Sequence, residues 1–320
     1  VERELAAVRE GARQTAALLE TRSTELRAAQ VFLTRADDVP DSDVVRLVEN
    51  LNASVFQIAA AIADTFQSRC GGRNEGAEDA CVELKGRTML PEGVTDALRH
   101  VDHRKDGTLV QFALQTVMAT YAREVGVLWD TRGKSDFERV YESIRAHEPQ
   151  AVAGRWRTLC RTHLRALRED EDEQRAEAAR ILVSALATVL RACGVADERD
   201  APENELRLAH SDALHAVVSI AFEFRRVAGE VIVSREFAVV MVMPEQPFDE
   251  SAMEDEWEGP KKKRRRGHEA ETAHPVFCTT GLGLVREENG SEGGRVLLVK
   301  PKVILTSIVD KLQEEGDGGR

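Results

Sequence analysis

The sequence predicts a mainly α protein: an N-terminal coiled-coil helix, a multi-helix bundle body and a small β-rich C-terminal tail. Three observations carry that prediction. Apolar residues recur at three- and four-residue steps through positions 1–228, the period of an amphipathic helix. Hydrophobic residues make up 42% of the chain but aromatics only 5%, so the core is built from Leu, Val, Ile and Ala, of which Leu and Ala favour helix. Past residue 275 the texture changes. Pro275–Val285 and Arg295–Leu305 are rich in β formers, and the Asn289-Gly290 pair between them is a hairpin signal.

At 320 residues the chain has room for one large or two modest domains. The composition shifts divide it into a coiled-coil helix (1–36), a helical body (41–243), a disordered charged linker (244–274) and the β-rich tail (275–312).

The first helix is expected over residues 1–35. Val1, Leu5, Val8, Ala12, Thr15, Leu19, Arg22, Leu26, Ala29 and Leu33 fall on alternating four- and three-residue steps, an a/d seam with Arg22 as a polar break. Such a stripe needs cover, so the seam predicts a homo-oligomer formed through residues 1–35. The alternative is that the stripe packs back on the protein's own helices. Pro40 ends this segment, and an Asp or Ser at 41–43 caps a second helix over 44–68, with Val44, Leu47, Val48, Leu51, Val55, Ile58, Ile62 and Phe66 on one face.

Residues 69–88 contain Gly71, Gly72, Gly76 and Gly86 and read as a loop. Helices follow over 92–103, 109–129, 136–147 and from Pro149 to about 167. A further helix over 174–193 closes on Gly194, and a last long one ends near Ala228. Residues 231–243 are Val/Ile/Phe-rich and fit either a strand or a final helix.

The sequence singles out several places where chemistry is conceivable. Asp102 to Leu109 resembles an EF-hand loop, with Asp102, Asp106 and Gly107 in register. Arg104 stands at a ligand position, however, and Ala113 replaces the bidentate Glu, so a capped turn is expected instead. His100 and His103 make an i, i+3 pair without further ligands, and Cys160 and His163 make another without an orienting acid. The five acids Glu169–Glu173 read as a solvated helix start. His268, His274 and Cys278 have irregular spacing for zinc, and Gly281-x-Gly283 lacks the third glycine of a dinucleotide loop. No catalytic residue, metal site or cofactor is assigned.

Charge supplies the one strong local signal. Gly259-Pro260 is followed by Lys261, Lys262, Lys263, Arg264, Arg265 and Arg266, then Gly267. The chain carries 44 Lys+Arg against 56 Asp+Glu, a net charge of −12, which without these six would be −18. Six adjacent cations repel one another and stay solvated. Pro260 with Lys261–Arg266 resembles a monopartite nuclear localisation signal, whose extended cations fit the acidic grooves of an import receptor. This predicts a nuclear protein; the alternative is a cytoplasmic one in which the run is a linker. A nucleic-acid partner would need a basic surround, and the acidic stretch Glu250–Glu258 argues against one.

The five cysteines (Cys70, Cys81, Cys160, Cys193 and Cys278) are scattered, as expected of free thiols in a reducing compartment. There the Asn52-Ala53-Ser54 and Asn289-Gly290-Ser291 sequons carry no meaning. No apolar run reaches the roughly 18 residues of a membrane span. The chain begins at Val1 rather than Met, which leaves room for an upstream element.

Several blocks together carry a resemblance. They are Gln30–Asp37, Asp43–Asn52, Pro247-Phe248-Asp249 with Met253-Glu254-Asp255, and Leu298–Val303. The chain resembles a coiled-coil/helical protein family of mushroom-forming (basidiomycete) fungi. The resemblance implies the same three-part architecture and brings no activity or site. The Pro-Phe-Asp hook before a small β segment is also similar to the end of GrpE-type nucleotide-exchange factors, from which the long helical body departs. The reading that follows is a non-enzymatic interaction or scaffold protein, nuclear and self-associating through its first helix. Its rivals are a nucleic-acid-associated regulator using the basic run and an enzyme whose site has no motif.

Overall fold

The computed structural model describes residues 2–33, 39–71, 75–127, 129, 136–167, 170–195, 202–257, 274–287, 294–309 and 311. The chain is mainly α, as predicted. Its helices are α1 (Glu2–Leu33), α2 (Asp41–Phe66), α3 (Glu75–Arg87), α4 (Glu92–His100), α5 (Thr108–Val127), α6 (Asp136–His147), α7 (Gln150–Ala166), α8 (Glu171–Ala192) and α9 (Pro202–Arg226). A 3₁₀ turn (Gln67–Arg69) extends α2, and a π turn (Val227–Val231) extends α9. The strands are β1 (Glu236–Val240), β2 (Glu254–Asp255), β3 (Val276–Gly281), β4 (Gly283–Glu287), β5 (Arg295–Val299) and β6 (Lys302–Leu305).

α5 is the axis of the body. It is apolar on nearly every side, and a helix of that pattern belongs inside. Leu109, Phe112, Leu114, Val117, Met118 and Val125 are all buried, and α5 packs on α2, α8 and α9 as well as on β3 and β1. α2 buries the predicted stripe: Val44, Val48, Leu51, Val55, Ile58, Ile62 and Phe66. α8 contributes Leu182, Leu186, Val189 and Leu190, and α9 contributes Leu206, Leu214, Val217 and Val218. The described acids 170–173 behave as a helix start. The Asp170 carboxylate accepts from Asp172 N at 3.0 Å, so the helix begins at Glu171, earlier than the expected Gln174.

One expectation is corrected in the body, and one that was open is decided. Residues 75–87, expected within a loop, form α3 despite Gly76 and Gly86. Ala77, Ala80, Cys81 and Leu84 sit at i, i+3, i+4 and i+7 and are buried, and α3 lies along α8. Tertiary burial outweighs the roughly 1 kcal/mol that each helical glycine costs. Residues 231–243 resolve into the end of the π turn and β1.

The β elements are one bent hairpin with a strand added at each end. β4 pairs antiparallel with β5, and β3 pairs antiparallel with β6. Only Leu282 separates β3 from β4, and only Lys300-Pro301 separates β5 from β6. The hairpin therefore passes from one three-stranded sheet (β1-β4-β5) into another (β2-β6-β3). β1 joins β4 antiparallel and β2 joins β6 parallel. Gly283 permits the crossing, since a Cβ there would stand 2.6 Å from Pro301 Cδ and 2.7 Å from Val240 Cγ2.

This geometry alters the expected segments. β1 comes from the segment assigned to the body, yet it completes the sheet of the tail. Phe277, Cys278, Leu282, Leu284 and Ile304 share one core with the helices. Two strands alone are marginal; here they are docked on α2 and α5. The first half of the expected disordered linker, residues 244–257, is seated. Pro247 bridges Pro275, Met253 is buried against Val276, Val303 and Leu305, and Trp257 meets the Phe112 ring edge-on at 6.0 Å.

Candidate functional site

The first helix is one candidate that the sequence marks, through its heptad seam. At 1.5 Å per residue its 32 residues span about 48 Å. From Arg9 to Leu26 every residue is exposed except the half-buried Ser23. Ala12 is exposed, and Leu19 and Leu26 expose 65% and 60% of their surface, with Leu18 beside them at 59%. The side chains of Leu5, Val8, Ala29 and Leu33 lie outside the described ones. α1 approaches the body at α7, while Ala12, Leu19 and Leu26 of the seam stay exposed. The Arg22 guanidinium is tied to Glu25 of the same helix at 2.8 Å, so the polar break is neutralised locally. Gln14 donates to Glu10 at 3.4 Å, and Thr15 donates to the Gly11 carbonyl at 2.9 Å.

The import-signal residues Pro260 and Lys261–Arg266 lie outside the described residues, as does His268. The chain on either side is fixed to the same sheet. Glu254 N and Glu256 N donate to Pro301 O and Val303 O at 3.0 Å, and the Glu256 carboxylate accepts from Thr280. On the far side, Val276 N donates to Gln246 O at 2.8 Å and Thr306 N to Pro275 O at 3.0 Å.

The EF-hand-like loop is closed by its own arginine. Arg104 Nε and Nη2 donate to the two Asp102 carboxylate oxygens at 2.9 and 2.6 Å, and Arg104 N adds a third bond at 3.1 Å. These bonds draw the Asp102 carboxyl down to about 2. Asp106 caps α5 through Thr108 N at 2.9 Å. The cation that this loop holds is therefore a guanidinium. His100 and His103 diverge: the exposed His100 bonds the Asp96 carbonyl, whereas His103 is buried and its Nε2 bonds the Leu98 carbonyl at 2.8 Å.

The other pairs do not assemble either. Cys160 packs near the Trp129–Tyr141 cluster, while His163 is exposed. Cys278 is fully buried on β3 beside Thr116, and burial pushes its thiol up to about 12. Among the described residues no group of three or more His, Cys, Asp or Glu is disposed to hold a metal ion, and no helix is long and apolar enough to cross a membrane.

Two features had no sequence signal. One is a buried polar network between α6, α7 and β1. Arg157 pairs with Glu236, Tyr141 donates to Glu236, and Gln150 donates to Glu236 at 3.2 Å and to the Val233 carbonyl at 3.1 Å. Gly154 lets α7 approach the segment just before β1, because a Cβ there would fall 2.0 Å from the Val233 oxygen. Next to it Arg161 lies 4.6 Å over the Trp129 ring. Burial first, then the charges of Arg157 and Arg225, lower the Arg161 guanidinium to about 9. These residues are 79 to 95 positions apart where they cross from α6 and α7 to β1, so no local spacing reveals them.

The second is an open cleft of about 610 Å³ lined by Tyr121, Glu124, Glu173, Glu177, Ile181 and Phe222. Its lining offers carboxylates and aromatics. Tyr121 is committed, since its hydroxyl donates to the Ala178 carbonyl at 2.8 Å and burial pushes its ionisation far above the usual phenol range. Glu177 is paired with Arg180. No protein-family model matches the chain, and neither a curated protein nor a solved structure shows significant similarity to it.

Proposed function

We propose that this chain is a non-enzymatic interaction protein that self-associates through α1 and is carried into the nucleus by Pro260 and Lys261–Arg266. One observation carries the first half. Leu19 and Leu26 lie on a continuous helix and are more than half exposed, which favours a partner helix over the protein's own core. Most of the stability of a helix in a protein comes from packing of its apolar face rather than from intrinsic propensity. Burying the seam against a second copy supplies the missing contacts. Pairing two bodies then presents each body surface twice, and avidity follows without any new contact.

The second half rests on the charge pattern and on the anchoring of its neighbours. Glu254 and Glu256 on one side and Pro275 and Val276 on the other are held at one sheet, so the cationic stretch has fixed attachment points at both ends. An import receptor reads such a stretch as an extended peptide with charge-assisted bonds.

Light scattering on the full chain and on a form lacking residues 1–35 tests the association. The full chain is expected at twice the monomer mass or more and the shortened one at the monomer mass; equal masses refute the proposal. Neutralising Lys261–Arg266 and imaging the protein tests the compartment, with loss of nuclear enrichment expected.

A further inference from the structure

The open cleft of about 610 Å³ is shared by three helices. Its base is apolar. Tyr121 and Val125 of α5, Ala178 of α8 and Phe222 of α9 line it and are buried, and Ile181 stands 43% exposed beside them. Its rim is acidic. Glu124 of α5, Glu173 and Glu177 of α8 and the α8 N-cap Asp170 are carboxylates open to solvent. Arg180 is the cation in the lining, which leaves the cleft with three net negative charges. Arg175 lies 5.8 Å over the Phe222 ring but is tied to Glu171 at 2.7 Å.

Glu124 is the informative residue. The acids of α8 stand at the positive end of their helix, which accounts for them without any ligand. Glu124 lies in the last turn of α5, at the negative end, where a carboxylate is disfavoured. Partial burial raises its carboxyl, against a smaller opposite pull from Arg123. A cation in the cleft offsets both effects. It meets Glu177 as well, since the charges of Glu124 and Glu177 both reach the Tyr121 hydroxyl.

We propose that this cleft binds a linear aliphatic polyamine, with its ammonium groups on Glu124, Glu173 and Glu177 and its methylene chain on Ile181 and Phe222. Charge and shape both select that class. Asp170, Glu173 and Glu177 follow at three- and four-residue steps, so at 1.5 Å per residue they form one row about 10 Å long. Cations spaced along an alkyl chain match a row over an apolar base. A single metal ion needs ligands gathered at one point, and among the described residues no such group is disposed to hold one. A basic peptide gains affinity from backbone partners, but every lining residue lies on a helix or caps one, so no strand edge is offered. The Glu177–Arg180 pair leaves Glu177 available, because the two side chains are 50% and 63% exposed and such surface pairs are weak. The site goes beyond association through α1 and nuclear import, and rests on neither.

Equilibrium dialysis and thermal melts of the full chain with spermidine test this. One saturable site is expected, its affinity falling as salt rises, and spermidine should raise the melting midpoint. Glu124→Gln with Glu177→Gln should weaken binding about tenfold or more. Ile181→Lys places a tethered ammonium in the cleft and should abolish binding. Glu49→Gln with Asp64→Asn removes the same charge from exposed positions of α2 and should leave binding unchanged. Glu124→Gln alone, without spermidine, should melt no lower than the wild type, because a disfavoured carboxylate is removed. Where Ile181→Lys fails to fold, the paired Gln variant decides. No saturable binding, equal weakening by the α2 pair, preference of the same site for an oligo-arginine peptide over spermidine, or a lower midpoint for Glu124→Gln would each overturn the proposal.

Discussion

Asn52 binds Leu282 as a neighbouring strand would: its Nδ2 donates to the Leu282 carbonyl at 2.8 Å, and Leu282 N donates back to Asn52 Oδ1 at 2.8 Å. Leu282 is the single residue between β3 and β4, where the chain changes sheet and its backbone groups leave both ladders. A buried backbone pair without partners is costly. Asn52, inside α2, satisfies both groups at once and fixes the hairpin to the helical body.

Asn52→Ala should therefore destabilise the protein by about 2–4 kcal/mol, since two buried backbone groups lose their partners. Equilibrium denaturation in urea measures this. The same burial forecasts that Asn52 takes no glycan once folded, despite its sequon; intact mass after expression in a glycosylating host checks it.

Removing one partner of the buried Arg157–Glu236 pair should be more severe. Their side chains are 4% and 10% exposed, and Glu236→Gln leaves the Arg157 charge without its counterion. A cost of about 3–5 kcal/mol is expected. A double variant with Arg157→Met should cost less than the two single changes added together, because neither charge then stays behind.

Acid should expose His103. Its Nε2 faces the Leu98 carbonyl, which only accepts, so Nε2 carries the proton and the buried Nδ1 is bare. Burial, against a smaller opposing pull from that carbonyl bond, lowers the pKa of His103. The folded state thus binds the proton less well than the unfolded state. The contribution is present in full above the unfolded value of about 6.5 and is lost as pH falls from there towards the lowered folded value. Melting midpoints from pH 8 to pH 5 should fall more steeply for the wild type than for His103→Gln.

Gly283→Ala should fail through crowding. The added methyl meets the Pro301 ring, its backbone nitrogen at 2.8 Å and the Val240 side chain. Overpacking of this kind costs about 1–3 kcal/mol, and the chemical denaturation midpoint should fall without a change of slope.

The polar break in the α1 seam gives a prediction of opposite sign. Arg22 is 73% exposed and is paired with Glu25 of its own helix. Arg22→Leu should strengthen association, and Leu19→Asp with Leu26→Asp should abolish it. Both changes should leave the melting of the body unaltered. Sedimentation equilibrium together with thermal melts separates the two effects.

The parts of this molecule that could be read directly are those where neighbours in sequence do the work. The α2 stripe from Val44 to Phe66, the helices after Pro91 and Pro149, the Gly194 stop and the two strands around Asn289-Gly290 all repeat at a helical or strand period. Arg104 in the candidate calcium loop was legible for the same reason, since its carboxylate partner lies two residues away. α3 was not legible, because Gly76 and Gly86 are poor helix formers and only burial against α8 outweighs them. Nor was the seat of residues 244–257, whose acids and prolines resemble a solvated linker until Glu256 meets Thr280 and Trp257 meets Phe112.

From its sequence alone the protein has its helical period, its first-helix seam, its cationic stretch and the β character of its end. The tertiary structure alone decided that the end is part of the body's core, that Glu236 meets Arg157 and Tyr141, and that Asn52 holds the sheet crossing. The physical reason is range. Helix and strand periods are set by bonds within a few residues, whereas the Glu236 and Asn52 contacts join residues 79 to 230 positions apart and form only when the elements close on one another.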